Sequence, residues 1–185
     1  MASKTVGFVG YGSIGQATAK MVKAAFGCRI VVLRRQAGAG DPSGLADEVL
    51  GFDEREKLFR TCDFIVCSLP KTPDTIDFVG PAELGVMKSS AVLISIGRGA
   101  VVDETALVTA LAENRIRGAA LDVFAHEPLP PSSPFWRLDN VLLTPHNADY
   151  TEDYQHLGWK IFAENAARFT RDQPLATVVD VKHGY

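Results

Sequence analysis

Along the chain, short uninterrupted apolar runs alternate with stretches in which apolar positions recur every three or four residues. The runs Thr5–Val9, Arg29–Leu33, Asp63–Ser68, Ala91–Ile96, Gly118–Val123 and Val141–Leu143 predict strands. They lack polar alternation, which is expected of strands covered on both faces. Ile14–Phe26, Asp53–Arg60 and Asp103–Glu113 predict helices, with Gly27 ending the first and Asp103 capping the third. Pro81–Met87 predicts a helical turn. Strand and helix patterns in alternation predict an α/β protein with a doubly wound parallel sheet.

The pattern changes after Pro145. Thr151–Arg171 predicts one long helix with Leu157, Ile161, Phe162, Ala166 and Phe169 along it. Thr151-Glu152-Asp153 suits its start, where negative side chains meet the helix dipole, and Pro174 follows its end. The tail Leu175–Tyr185 contains a β-like run, Ala176-Thr-Val-Val-Asp-Val181, with no evident pairing partner. Two regions are expected: a nucleotide-binding domain over residues 1–149, and a C-terminal helix and tail over residues 150–185.

Composition narrows the function classes. A chain of 185 residues suffices for one core that hides about two-thirds of its unfolded surface. The net charge of −3 points to neither nucleic acid nor an anionic membrane surface. The apolar runs fall far short of the ~20 residues of a membrane helix. The first residues lack a secretory pattern, so a cytoplasmic location is the expectation. Cys28, Cys62 and Cys67 form no Cys-x-x-Cys pair and are expected as buried, reduced thiols. No His, Cys or acidic pair has metal-ligand spacing, so no metal is expected. Arg35–Gly44 reads as a flexible loop.

The chemistry begins at Gly10-Tyr-Gly12-Ser-Ile-Gly15, between a strand and a helix. Gly10 suits the tight turn, Gly12 a close approach to a pyrophosphate, and Gly15 close packing of helix on strand. Free N–H groups at the helix start, around Ser13 and Ile14, suit the phosphates. The spacing alone is weak, but its strand-to-helix setting supports a dinucleotide and a Rossmann-type domain. The acid that normally holds the ribose hydroxyls of NAD is missing at the end of the second strand, where Leu33-Arg34-Arg35-Gln36 stands instead. Arg34 and Arg35 suit a 2′-phosphate and predict NADP(H) in preference to NAD(H).

Three ionisable residues each follow a predicted strand: Arg98 in Ile96-Gly97-Arg98-Gly99, Glu127 in Asp122-Val-Phe-Ala-His-Glu127, and His146 in Thr144-Pro-His146. Reduction of a 2-oxo acid needs a cation for the carboxylate and a proton donor at the carbonyl oxygen. His146 is the candidate acid/base, Glu127 the carboxylate that fixes its tautomer and keeps it protonated, and Arg98 the anchor and polariser. His126, His156 and His183 read as loop, helix-face and tail residues without a role.

With these residues in place, the chain resembles the D-isomer-specific 2-hydroxyacid dehydrogenase family from about Lys4 to about Asn147. The resemblance rests on Val9-Gly-Tyr-Gly-Ser-Ile-Gly-Gln16 and Cys62-Asp-Phe-Ile-Val-Cys-Ser-Leu-Pro-Lys-Thr-Pro-Asp-Thr75. It also rests on Met87–Glu104, Gly118-Ala-Ala-Leu-Asp-Val-Phe124 and Asn140-Val-Leu-Leu-Thr-Pro-His146. It implies catalytic roles for Arg98, Glu127 and His146, a carboxamide contact from Asp122, and cofactor contacts around Leu69-Pro70 and Ile96-Gly97. Arg34 stands where the family's NAD-selecting acid falls, as in the NADP-preferring glyoxylate and hydroxypyruvate reductases. The resemblance also implies a homodimer through the nucleotide-binding domain and a substrate domain of which only the helix and tail are represented. The expected function is hydride transfer between NADP(H) and a small 2-oxo or 2-hydroxy acid. Two alternatives stay open: a non-catalytic, corepressor-like binding module, and the same mechanism on phosphoglycerate, lactate or phosphite.

Overall fold

The computed structural model describes residues 3–35, 38, 40, 41 and 43–181. Parts of the loop expected at Arg35–Gly44 (residues 36, 37, 39 and 42) and the last four residues of the tail lie outside them. The chain divides into two compact units, residues 1–146 and 147–185.

The first unit is built on seven parallel strands: β1 (Thr5–Val9), β2 (Arg29–Arg34), β3 (Glu48–Gly51), β4 (Phe64–Cys67), β5 (Val92–Ser95), β6 (Gly118–Leu121) and β7 (Val141–Leu143). Their order is β3-β2-β1-β4-β5-β6-β7, the doubly wound arrangement expected from the alternating pattern. Alternate side chains of these apolar strands enter two cores. Phe8, Ile30, Val32 and Val66 pack beneath Ala19 of α1 (Ser13–Phe26). Val9, Leu33, Ile65 and Leu93 face α2 (Arg55–Thr61), α3 (Pro81–Val86) and α4 (Glu104–Ala112), which contribute Leu58, Leu84 and Leu107. The order reverses direction at β1, so the connections after β1 and β4 diverge and leave a crevice at their carboxyl ends.

Most predicted elements lie within a residue or two of their expected bounds. Asp103 caps α4 by accepting from the Ala106 N–H at 3.0 Å. The sequence reading missed β3, because four residues beginning with Glu48 carry too little apolar signal. The strand is fixed by pairing with β2 and by ion pairs from Glu48 to Arg29 and Lys57. All three cysteines are buried free thiols, and burial pushes Cys62 and Cys67 up to about 12.

The second unit contains α5 (Tyr154–Phe169), shorter than expected at both ends. Thr151 starts a turn that accepts from the Tyr154 N–H, and Asp153 occupies the cap position without a side-chain bond. The expected β-like run is not a strand. Asn165 instead accepts from the Ala176 N–H at 2.8 Å and donates to Thr177 at 3.2 Å, which folds the tail against the helix. A β-branched run without an adjacent strand edge has nothing to form a ladder with. Leu157, Trp159, Ile161, Phe162 and Phe169 are all at least half exposed. Among the described residues, no helix is long and apolar enough to cross a membrane.

Asp63 stitches the amino ends of the central strands. Its carboxylate accepts from the Thr5 N–H at 2.9 Å and from Lys88 at 3.1 Å, with Lys4 at 3.5 Å. Burial acts to raise its pKa, but these donors and charges outweigh burial and leave it below the ordinary 3.8. Its stabilisation is therefore complete above the unfolded value and is lost as pH falls through the folded one. Asp63→Asn is expected to lower stability at neutral pH by about 1 kcal/mol, with the difference shrinking as pH falls below the ordinary carboxylate range. Thermal unfolding against pH checks this, and a gap that persists in acid would assign the effect to packing.

Candidate active site

The carboxyl end of β5 is built by close approach. A Cβ on Gly97 would lie 2.5 Å from the Leu69 carbonyl oxygen, and one on Gly99 would lie 1.9 Å from the Phe124 carbonyl carbon. The segment is thus wedged between the chain leaving β4 and the chain leaving β6, with space only for glycine on either side of Arg98. Arg98 itself is extended and exposed, and its Nη1 donates to the Gly97 carbonyl at 2.7 Å.

After β6, the Asp122 N–H continues the ladder to the Ser95 carbonyl. Asp122 is buried, and its Oδ1 accepts from the Thr144 hydroxyl at 2.5 Å. Glu127 lies three residues beyond Phe124 and bonds in two directions. Its Oε1 accepts from the Phe124 N–H at 2.9 Å, and its Oε2 lies 2.7 Å from Nδ1 of His146. His146 follows β7 with φ 53°, a left-handed conformation uncommon outside glycine.

Partial burial raises the Glu127 pKa. The bonds from His146 and the Phe124 N–H, with the charges of His146 and Arg98, more than reverse this and hold the carboxyl below the ordinary 4.5. The structure therefore brings the sequence-predicted trio together: Glu127 bonds His146 directly and feels the Arg98 charge. A cleft of about 550 Å³ opens beside Glu127 and His146, walled by Phe124, Leu129, Trp136 and Leu143. Apolar walls strengthen charge interactions by excluding water.

The glycine loop has the geometry of a phosphate cradle. Gly10 turns at φ 90°, and a Cβ on Gly15 would lie 2.8 Å from the Gly10 carbonyl oxygen. A Cβ on Gly12 would meet no protein atom within 4 Å, so the space above it is open to a ligand. No side chain caps the start of α1, and first-turn N–H groups such as those of Ser13 and Ile14 have no intrahelical acceptor. The residues fit a dinucleotide pyrophosphate. Arg34 donates to the Gly40 carbonyl, and Arg35 lies 3.6 Å from Asp74 in the segment after β4. Sequence reading overlooked Asp74, and also Ser43, which bonds the Tyr11 hydroxyl at 2.8 Å while Asp41 holds its turn. The Asp-Pro-Ser-Gly turn signal was present, but its partner lies 32 positions away. Leu69 packs on Gly10, and the Pro70 carbonyl accepts from Thr75 at 2.6 Å. The Ile96 N–H extends the ladder to Cys67.

Residues 1–148 match the family model described as D-isomer specific 2-hydroxyacid dehydrogenase, NAD binding domain. The chain belongs to this family. Within it, glyoxylate/hydroxypyruvate reductase B of Yersinia enterocolitica is 39% identical over 155 residues, covering 83% of this chain and 46% of that protein. A D-isomer specific 2-hydroxyacid dehydrogenase of Xanthobacter autotrophicus, solved with NADPH and MES, has a TM-score of 0.89 at 32% identity, covering 98% of this chain and 73% of that one. An NADPH-dependent glyoxylate/hydroxypyruvate reductase of Sinorhizobium meliloti, solved with NADP and sulfate, has a TM-score of 0.88 at 33% identity, covering 98% and 57%. The chain spans about half the length of the curated relatives it matches.

The two glycine environments separate folding from ligand binding. Gly99→Ala is expected to lower the melting temperature by roughly 2 °C or more, through overpacking that costs about 1–3 kcal/mol. Gly12→Ala is expected to leave it unchanged and to abolish dinucleotide binding. Calorimetry together with a nucleotide titration reads both effects.

Proposed function

We propose that this chain is the cofactor-binding and acid/base part of a dehydrogenase that transfers hydride between NADP(H) and a small 2-oxo or 2-hydroxy acid of the glyoxylate/hydroxypyruvate type. The observation that carries the reading is the 2.7 Å bond between Glu127 and His146, made by loops leaving adjacent parallel strands on the same edge of the sheet as the glycine loop.

Each residue has a distinct task. Ser13 and Ile14 present N–H groups to the pyrophosphate from the Gly10–Gly15 loop. Leu69, Pro70, Ile96 and Gly97 line the path of the bound dinucleotide, and Asp122, oriented by Thr144, accepts from its carboxamide. When bound, the nicotinamide supplies or takes the hydride. Glu127 accepts from Nδ1 of His146, which leaves Nε2 to pass the proton to the carbonyl oxygen during reduction and to recover it during oxidation. Arg98 pairs with the substrate carboxylate and polarises the carbonyl. A homodimer through the first unit, in the cytoplasm, completes the proposal.

Arg34 and Arg35 support NADP(H), because no acid occupies the end of β2 and guanidinium groups suit a phosphate dianion. Relatives solved with NADPH or NADP lend further support. A fluorescence titration of the 185-residue chain should favour NADPH over NADH, and Arg34→Ala with Arg35→Ala should erase that preference. An equal loss for both cofactors would refute the phosphate role. Where glyoxylate or hydroxypyruvate is turned over, His146→Ala should reduce the rate by about 100- to 10,000-fold. Survival of turnover would remove His146 from the acid/base role.

A further inference from the structure

The loop carrying Glu127 receives a support from outside the catalytic trio. The Ala125 N–H donates to Oε1 of Glu104 at 2.7 Å, across 21 positions of sequence. Glu104 is the first residue of α4, and the start of that helix is itself fixed. The Asp103 N–H donates to the Val79 carbonyl at 3.0 Å, Asp103 caps the helix, and Val79 and Val102 form a parallel bridge. The same connection, residues 96–104, carries Arg98 and the Gly99 backbone that presses on Phe124. The loop thus meets the connection twice in succession, at Phe124 through Gly99 and at Ala125 through Glu104. Two residues further on, Glu127 bonds His146.

We propose that Glu104 is a positioning residue for the acid/base pair. It holds the turn at Ala125 so that Glu127 bonds the Phe124 N–H on one side and His146 on the other, and so that this pair keeps register with Arg98. The kinetic consequence rests on the proposed function, whereas the geometric one does not. A carboxylate at the first position of a helix also has a generic use against the helix dipole, and three substitutions separate the two roles. Glu104→Gln keeps the length and an acceptor oxygen but removes the charge. Glu104→Asp keeps the charge near the helix start but is one methylene too short to reach Ala125. Glu104→Ala loses both.

Hydrogen exchange of the Phe124 and Ala125 amides in the 185-residue chain tests the geometry without requiring turnover. Positioning predicts exchange accelerated about tenfold or more in the Asp and Ala variants, near wild type in Gln. A dipole role predicts the opposite order, with Asp near wild type, and would overturn the proposal, as would unchanged exchange in Ala. Where the chain turns over, kcat should fall about tenfold in Asp and Ala with NADPH affinity retained, and Glu104→Ala should add little to Glu127→Ala. Fully additive losses would mean that Glu104 does not act through Glu127. Absence of any turnover would count against the proposed function alone and leave the exchange result standing.

Discussion

Backbone crowding at the carboxyl ends of β4, β5 and β6 decides where chemistry can sit in this molecule. A parallel sheet sends every strand toward the same edge, and three successive chains leave it there within van der Waals contact. Gly97 and Gly99 are the positions at which two of those chains touch the third. Because backbone meets backbone, the spacing between the Arg98 segment and the Phe124 segment has almost no freedom to vary. Glu127 is three residues from that contact and His146 is bonded to Glu127, so the trio inherits the precision of the crowding. Side-chain packing alone would leave rotamers to choose among.

The electrostatics follow from this placement. Glu127 is one-third exposed and His146 less than half exposed, so neither pays the full cost of a buried charge. The Phe124 N–H, the imidazole and the nearby guanidinium nevertheless favour the ionised carboxylate strongly enough to overcome its partial burial. A glutamate that remains ionised around neutrality is a constant acceptor for Nδ1 of His146.

Much of this was legible in the sequence, and what was not legible has identifiable causes. Uninterrupted apolar runs marked six of the seven strands, and the motif order placed Arg98, Glu127 and His146 after three of them. The signal at β3 failed because an edge strand of four residues begins on a half-buried glutamate and holds only two apolar side chains, Val49 and Leu50. The tail failed for the opposite reason: Val178 and Val179 carry β propensity, but a strand exists only as a pair, and Asn165 offered the tail a side-chain alternative. Glu104 was visible only as a residue at a helix start. Its bond to Ala125 depends on how α4 and the loop after β6 approach each other, and residue spacing contains no information on that approach.

The two ends of the site differ in what holds them. The Glu127–His146 end is fixed by glycines in backbone contact and by bonds that reach back to strand ladders. The end beside β2 is formed by side chains at a loop: Arg34 on the Gly40 carbonyl, Arg35 near Asp74, and Ser43 on Tyr11. An exposed ion pair such as Arg35–Asp74 contributes little to stability. Arg34 and Arg35 therefore stand apart from the crowded strand ends and can change without disturbing them. The reverse does not hold, because any side chain added at Gly97 or Gly99 must move a neighbouring backbone. The loop after β2 and the Glu127–His146 geometry are separable in this domain because one rests on side chains and the other on main chain.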